Sequence, residues 1–359
     1  MEMIAIDGAM GEGGGAILRT ALALSAVSMR PVHIYNIRAK RPNPGLAPQH
    51  MHGVKALASL TGAKVEGLQL RSTELRFEPK AVKGGRYRVD IGTAGSITLI
   101  LQALMPAAAF ADGPVEVEIT GGSDVPMSPP VDYLINVTLP TLRKMGYDGE
   151  VVRIRRGHYP RGGGIVRAVI RPVRKLSAIR MIELGRVVGI KGISHCVRLP
   201  ERIATRMAHA AKLALLKAGY ADVDIEIEAH DPAKDPHLGP GAGITLWAEG
   251  ESGSIIGASA LGRPGKPAEE VAREAAEILF KQLRTGCGVD RYLTDQLIPY
   301  MALAEGTSEI TSAELTSHAL TNIALVERIL DVKFEVDGQM GQPGRIRVEG
   351  LGFTRLQRI

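Results

Sequence analysis

The chain has 359 residues, of which 45% are hydrophobic and only 4% aromatic, and its formal net charge is +6. It exceeds the usual size of a single domain, and its cores must be built from Ala, Leu, Ile and Val. Two cysteines, Cys196 and Cys287, are too few for a disulfide framework or a cysteine zinc site. Because no hydrophobic run suits a membrane span and no signal peptide is recognisable, we expect a cytoplasmic protein without a membrane partner.

The predicted elements recur with a fixed period. A Gly-rich turn leads into an apolar helix near Gly8, Gly92 and Gly286, and a second helix follows in each unit. The spacing from Gly8 to Gly92 is 84 residues, and so is that from Gly62 to Gly146. The hydrophobic pattern predicts helices over residues 17–26, 48–60, 97–109, 130–145, 292–304 and 317–330.

The third unit is longer than the first two. Gly146 and Val332 are 186 residues apart, which leaves an excess of about a hundred residues over one period. We therefore predict an α+β fold with threefold internal repetition and one inserted small α/β domain. The predicted boundaries are 1–180 with 285–359 for the large domain, about 1–84, 85–156 and 157–180 with 285–345 for its repeats, and 181–284 for the insertion.

His318 lies where a short predicted strand, Glu309-Ile310-Thr311, gives way to a helix capped by Thr316 or Ser317. The positive end of a helix dipole favours a neutral imidazole, which is a competent nucleophile, and the N–H groups of the first turn can bind phosphate. The alternative is that His318 only helps to cap the helix. This segment alone does not decide between the two.

The turn Gly11-Glu12-Gly13-Gly14-Gly15 also joins a predicted strand to a predicted helix. Glycine lets the backbone approach an anion closely, and Glu12 could hold a divalent cation that bridges phosphates. The turn matches neither the Walker pattern nor a dinucleotide fingerprint, so a purely structural turn is the alternative.

The loop from Arg38 to His50 carries four cationic or imidazole groups and three prolines. Arginine forks match phosphate oxygens, and proline lowers the entropy lost when a loop is ordered. Arg19, one turn into an apolar helix, would need an anionic partner if it is buried. A plain solvated basic loop is the alternative here, as it is for the other basic clusters of the chain.

A ring, a carboxylate and amides suited to a base and a ribose occur at Tyr292, Asp295, Gln296 and Gln102, with Pro129. A structural role explains these residues at least as well. The other histidines that we considered show no metal-ligand spacing: His33, His158, His195, His209, His230 and His237.

Ordered motifs extend along nearly the whole chain. They are Ile4–Gly8 with Gly11–Gly15, Ile17–Arg19, Ile37–Ala39, Pro44–Leu46 with Gln49-His50, Gly92–Ser96, Phe110–Pro114, Gly121–Asp124, Tyr159-Pro160 with Gly162–Gly164, Tyr292-Leu293 with Asp295-Gln296, and His318 with Leu320–Ala324. Together they resemble the RNA 3′-terminal phosphate cyclase family.

The resemblance implies three repeated units of a four-stranded sheet with two helices, plus an inserted smaller α/β domain with thioredoxin-like elements. It implies conversion of an RNA 3′-terminal phosphate to a 2′,3′-cyclic phosphodiester with ATP and Mg²⁺ or Mn²⁺. The reaction would pass through a histidyl–AMP intermediate and an RNA–adenylate, releasing pyrophosphate and AMP. A homo-oligomer is compatible with the sequence.

The resemblance also assigns roles by position. His318 is the nucleophile, and Glu12 holds the metal. The residues expected to contact phosphates are Arg19, Arg38, Arg41, Gln49 and His50. The residues expected around the adenosine are Gln102, Pro129, Tyr292, Asp295 and Gln296. Because Lys40 precedes Arg41, which cation contacts which phosphate stays open.

Two alternatives belong to other classes. A non-catalytic relative that binds RNA during ribosomal RNA processing would share the scaffold but lack the nucleophile. A small-molecule transferase such as an enolpyruvyl transferase could use a similar repeated scaffold without a histidine at the strand–helix junction. Mass analysis for a bound nucleotide would separate the second alternative.

Overall fold

A computed structural model describes residues 2–231 and 233–354. The first of its four sheets is built from β1 (Ile4–Asp7), α1 (Gly15–Ser28), β2 (Val32–Tyr35), α2 (Pro48–Thr61), β3 (Lys64–Glu66) and β4 (Leu75–Glu78). The strand order is β1-β2-β4-β3; β1 and β2 are parallel, and the other two pairs are antiparallel. Both helices were predicted from the hydrophobic period, to within two residues at each end.

The second sheet repeats this topology. Its elements are β5 (Gly85–Asp90), α3 (Ile97–Ala108), β6 (Val115–Gly121), α4 (Val131–Tyr133), a π-helical turn (Leu134–Thr138), α5 (Leu139–Lys144), β7 (Asp148–Arg155) and β8 (Gly164–Arg171). The order is β5-β6-β8-β7, again with the first pair parallel. The single helix predicted over 130–145 is interrupted because Pro140 has no N–H to donate to Asn136, and the chain widens into a π turn.

A separate sheet follows after the short strand β9 (Arg180–Met181). Its elements are β10 (Val187–Val197), α6 (Arg202–Lys217), β11 (Val223–Glu228), β12 (Gly241–Gly250), β13 (Ile255–Leu261) and α7 (Ala268–Leu283). The strand order is β11-β10-β12-β13. All of these elements lie within the segment predicted as an insertion. The chain is therefore α+β, as predicted.

The third unit resumes after the insertion with α8 (Arg291–Leu303), β14 (Glu305–Ser312), α9 (Ser317–Ile329), β15 (Phe334–Gly338) and β16 (Gly344–Leu351). Strand β9 pairs in parallel with β14, and the order β9-β14-β16-β15 repeats the arrangement of the first two units.

The predicted boundary between the second and third repeats, at residue 156, is wrong. Strand β8 lies beyond that boundary but pairs along its whole length with β6 and β7 of the second sheet. The spacing of the motifs does not reveal this pairing, because β8 is joined to β7 by a Gly-rich turn that resembles the turns at the start of each unit. The third sheet instead begins at β9.

Helices of the three units share one apolar interior. Leu22 of α1, Leu57 of α2, Leu101 of α3, Leu297 of α8 and Val326 of α9 are all buried in a single hydrophobic cluster. The insertion has a cluster of its own beneath α6 and α7. Within the described residues, no helix has the length and the apolar surface needed to cross a bilayer.

Candidate active site

His318 occupies the first turn of α9, directly after the loop that follows β14. Thr316 is the N-cap, and its Oγ1 accepts a hydrogen bond from the backbone N–H of Ala319 at 3.1 Å. The cap is therefore supplied by Thr316, which leaves the imidazole of His318 free to project from the turn. Its side chain is 43% exposed, and Nε2 lies 3.0 Å from Oε2 of Glu12. A reactive group here is open to a substrate.

The Gly-rich turn holds Glu12 in place through close backbone contacts. Gly11 and Gly13 have φ of +49° and +58°, in the left-handed region that favours glycine. A Cβ on Gly11 would clash with Oγ1 of Thr321 on α9, and a Cβ on Gly15 would clash with Nε2 of His50 on α2. The turn is thus packed between the helix that bears His318 and the basic loop.

Gly11→Ala is expected to lower the free energy of unfolding by about 1–3 kcal/mol through overpacking, because the new methyl group must push Thr321 and the first turn of α9 away. Chemical unfolding of the purified protein measures this loss. Gly62→Ala is the matched control, since Gly62 has φ of +59° but nothing lies within 4 Å of its added methyl. Equal losses in both variants would show that backbone strain, and not the contact, is responsible.

The basic loop lies over the Gly-rich turn. Nη2 of Arg41 is 3.6 Å from Oε2 of Glu12, and Nζ of Lys40 donates to the carbonyl of Gly11 at 2.8 Å. Glu12 therefore lies between His318 and a guanidinium. Lys40 instead binds the backbone of the turn. Of these two neighbouring cations, Arg41 is therefore the one that faces the carboxylate of Glu12.

Arg38, predicted to contact phosphates, is held by its own loop. Its φ is +55°, and its Nη1 donates to the carbonyls of Asn43 at 2.7 Å and Gly45 at 2.8 Å. This half of the guanidinium shapes the loop that presents Arg41. Burial, followed by the charge of Arg41, lowers the pKa of Arg38 from its ordinary value.

Three predicted phosphate-binding residues lie beside one cavity between α1, α2 and α3: Arg19, Gln49 and His50. Nδ1 of His50 accepts a hydrogen bond from the backbone N–H of Ala47 at 3.2 Å. Burial, then the charges of Arg19 and Arg38, lowers the pKa of His50 to about 3. His50 is thus neutral at physiological pH, and its role is that of a hydrogen-bonding group rather than a cation.

Arg19 on α1 and Asp295 on α8 are close enough for the charge of each to affect the pKa of the other. Each residue is partly accessible to solvent, but most of its surroundings are protein atoms. Burial lowers the pKa of Arg19 to about 10, opposed by Asp295. Burial raises the pKa of Asp295 to about 7, opposed by Arg19. Removing Arg19 would raise the pKa of Asp295 further, and removing Asp295 would lower the pKa of Arg19 further.

Asn322 is a site residue that the sequence reasoning passed over, although it stands in the His318 motif. Its Nδ2 donates to the carbonyl of Asp295 on α8 at 3.0 Å, and its Oδ1 accepts from Oγ1 of Thr20 on α1 at 2.9 Å. A single amide therefore ties three helices together. The signal available in the sequence was an asparagine next to the apolar positions of a predicted helix.

The remaining predicted nucleotide-binding residues lie along the start of α8 and its neighbours. Tyr292 is 37% exposed, and the guanidinium carbon of Arg291 lies 5.4 Å from its ring centroid. Gln296 accepts from Thr138 at 3.0 Å and donates to the carbonyl of Tyr292 at 2.9 Å. Pro129 accepts from Thr98 at 2.7 Å through its carbonyl. Gln102 is half-buried on α3.

The surroundings of His318 keep its imidazole neutral. Burial has the largest effect and lowers the pKa of His318 below its ordinary value; the charges of Arg19, Arg41 and Arg291 lower it further, and Glu12 opposes them. A ring without a proton on one nitrogen carries the lone pair that a nucleophile needs.

A metal ion at this site would depend on one protein carboxylate. Among the residues that the structure describes, the only group of three or more metal-ligating side chains within reach of one another lies elsewhere, at Asp124, His158 and His195. Glu12 fits Mg²⁺ or Mn²⁺ only if phosphate oxygens and water complete the shell, which is how Mg²⁺ is commonly bound beside nucleotides.

Comparisons with known proteins agree with the motifs. A family model described as RNA 3′-terminal phosphate cyclase matches residues 10–336. The RNA 3′-terminal phosphate cyclase of Methanopyrus kandleri is 52% identical over 98% of this chain and 100% of that protein. Those of Ignicoccus hospitalis and Pyrococcus furiosus are 52% and 51% identical, over 98% and 96% of this chain and 100% and 98% of those proteins.

Among solved structures, the enolpyruvyl transferase NikO from Streptomyces tendae aligns over 98% of this chain and 82% of that chain. At 11% identity and a TM-score of 0.25, this likeness supports no inference. The three RNA 3′-terminal phosphate cyclases, in contrast, match nearly the whole chain at 51–52% sequence identity. The chain therefore belongs to the RNA 3′-terminal phosphate cyclase family.

Proposed function

We propose that this chain uses ATP to convert an RNA 3′-terminal phosphate to a 2′,3′-cyclic phosphodiester, with His318 as the covalent nucleophile. The observation that supports this most directly is a partly exposed, neutral imidazole at a helix N-terminus, with Glu12 at 3.0 Å. Arg41 on the far side of Glu12 adds a cation where phosphate charge would develop.

In the first step, the lone pair of the His318 ring forms a bond to the α-phosphorus of ATP. The bond from that phosphorus to the bridging oxygen breaks, and pyrophosphate leaves with the electron pair. The first-turn N–H groups of α9 and the guanidinium of Arg41 would stabilise the negative charge on the phosphoryl oxygens. Arg19 and neutral His50 would supply further donors from the cavity between α1, α2 and α3.

In the second step, an oxygen of the RNA 3′-phosphate attacks the same phosphorus, the P–N bond breaks and His318 is restored. In the third step, the neighbouring 2′-oxygen attacks the RNA phosphorus, AMP leaves and the hydroxyl proton passes to solvent. The substrate itself supplies proximity in this last step, because the 2′-OH is attached to the same ribose. The enzyme has to supply the good leaving group, which is AMP.

Glu12 is the residue that would hold Mg²⁺ or Mn²⁺, and the ion would neutralise phosphate charge there. Tyr292, Gln102 and Asp295 would surround the adenosine, with Pro129 and Gln296 shaping the edges. The proposal extends to a thioredoxin-like character for the insertion, a cytoplasmic setting and a homo-oligomeric state.

The test is incubation with α-labelled ATP and a divalent metal, followed by denaturing electrophoresis. Acid-labile label on the protein, removed by RNA with a 3′-phosphate end but retained with a 3′-hydroxyl end, is the expected result. A folded protein that takes up no label would contradict the proposal and favour a non-catalytic RNA-binding relative.

The rate of self-labelling is expected to be half-maximal below pH 6.5 and to decline further in more acidic solution. Protonation blocks attack, and the pKa of His318 is lowered from 6.5 by burial and by the nearby arginines. Arg291→Gln removes one of those charges, so the acidic limb should move to higher pH. Single-turnover labelling across pH at ATP concentrations far below saturation measures both, because the rate then reports the pKa of the free protein. A midpoint above 6.5 in the wild type would contradict the expectation.

A further inference from the structure

A buried polar cluster lies where the insertion meets the second unit. Its centre is Arg156, which is 1% exposed. Nη1 of Arg156 donates to Asp124 at 3.0 Å, and Nη2 donates at 2.7 Å to both Asp132 and Glu228. The interdomain cluster comprises Asp124, Asp132, Arg153, Arg156, His158, His195 and Glu228.

Two buried imidazoles face each other beside this arginine. Nε2 of His195, on β10 of the insertion, lies 3.2 Å from Nε2 of His158, which precedes β8. The carboxylate of Asp124 is 3.9 Å from the same nitrogen of His195. Two ring nitrogens at this distance would repel each other if both were unprotonated. Either a proton or a cation therefore lies between them.

The fixed charges of the cluster do not balance. Asp124, Asp132 and Glu228 contribute three carboxylates, whereas Arg153 and Arg156 contribute two guanidiniums, and both arginines are paired with members of this set. The cluster therefore carries one net negative charge, which favours added positive charge between the two imidazoles. A shared proton would balance it and a dication would turn it into one net positive charge, so the choice of a metal rests on the ligand geometry.

We propose that Asp124, His158 and His195 bind a transition-metal dication, with Zn²⁺ the best match, and that the ion fastens the insertion to the large domain. Imidazole and carboxylate are the ligands that Zn²⁺ accepts along with thiolate. Bonds of 2.0–2.1 Å in a tetrahedral shell require about 3.4 Å between ligand atoms. The separation of the two ring nitrogens is already close to this, and all three ligand atoms lie within 4.8 Å of one another.

The proposed site is distinct from the one at Glu12. It uses nitrogen ligands, and two of its ligands come from the second unit while the third comes from the insertion. His237, a further histidine nearby, is engaged with Asp235 at 2.6 Å through its Nδ1 and is not needed as a ligand. Nδ1 of His195 has no partner among the described residues, so this ring lacks the second hydrogen bond that a metal-ligating histidine commonly makes.

The test is metal analysis of the full chain, purified without a histidine tag, stripped with a chelator and then titrated with Zn²⁺. About one zinc per chain is expected to remain after gel filtration, with a rise in the unfolding temperature. Co²⁺ in its place should give the visible absorption of a low-symmetry site. The result should be the same in Glu12→Ala, which lacks the other candidate metal ligand.

His195→Gln and Asp124→Asn are each expected to weaken zinc binding by at least about tenfold. His209→Gln on the exposed face of α6 is the matched control and should bind zinc like the wild type. Wild-type zinc content no higher than that of His195→Gln, without any change in unfolding temperature on chelation, would overturn the proposal and leave a shared proton between the two rings. The wild-type titration decides even if a variant fails to fold.

Discussion

His318→Ala is expected to abolish covalent labelling by ATP and to slow RNA cyclisation by at least about 10³-fold, because in the proposed mechanism the covalent bond to AMP forms on the imidazole of His318. The fold should survive, since the side chain is 43% exposed and the N-cap is provided by Thr316. The measurements are labelling with α-labelled ATP and release of cyclic-phosphate ends from RNA.

Thr316→Ala is the control that separates a nucleophile from a capping residue. Loss of the N-cap should destabilise the protein by about 1 kcal/mol while the labelling chemistry remains. His318→Ala should therefore lose labelling and keep its stability, whereas Thr316→Ala should lose stability and keep its labelling. If His318→Ala loses stability and keeps its label, the capping interpretation of the sequence is right and the covalent mechanism is wrong.

The repeat was predictable from sequence because its signals are local. Gly-rich turns, hydrophobic periods and caps are properties of short segments. They placed the helices of the three units to within two residues, apart from the π turn that interrupts the helix predicted over 130–145. The boundary at residue 156 failed because the pairing of β8 is not local. The residues of a strand do not by themselves indicate which sheet the strand joins.

The same distinction explains the site. Glu12 and His318 lie in separate motifs that each suggest phosphate chemistry, so their types were recognisable, while their 3.0 Å approach depends on how the first and third units pack. Arg38 could not be distinguished from Arg41 by type, since only the loop geometry commits it to carbonyls. His158 and His195 have no ligand spacing in sequence, and the insertion brings them together.

Arg156→Ala is expected to lower the free energy of unfolding by about 3–5 kcal/mol, measured on chelated protein so that no metal contributes. The loss follows from what remains: three carboxylates, two of them fully buried, would lose the guanidinium that bridges them. Urea unfolding with an unchanged slope reports the difference as a shift of the midpoint.

Arg206→Ala is the matched control, since Arg206 also makes a two-pronged pair, with Glu269 at 2.7 and 2.8 Å, but its side chain is 53% exposed. Solvent screens that pair, so its loss should cost no more than about 1 kcal/mol. Arg156→Lys should lie between the two extremes, because an ammonium keeps the charge but has no planar fork to reach three carboxylates. Equal losses for Arg156→Ala and Arg206→Ala would show that burial of the interdomain cluster contributes nothing to the cost of breaking it.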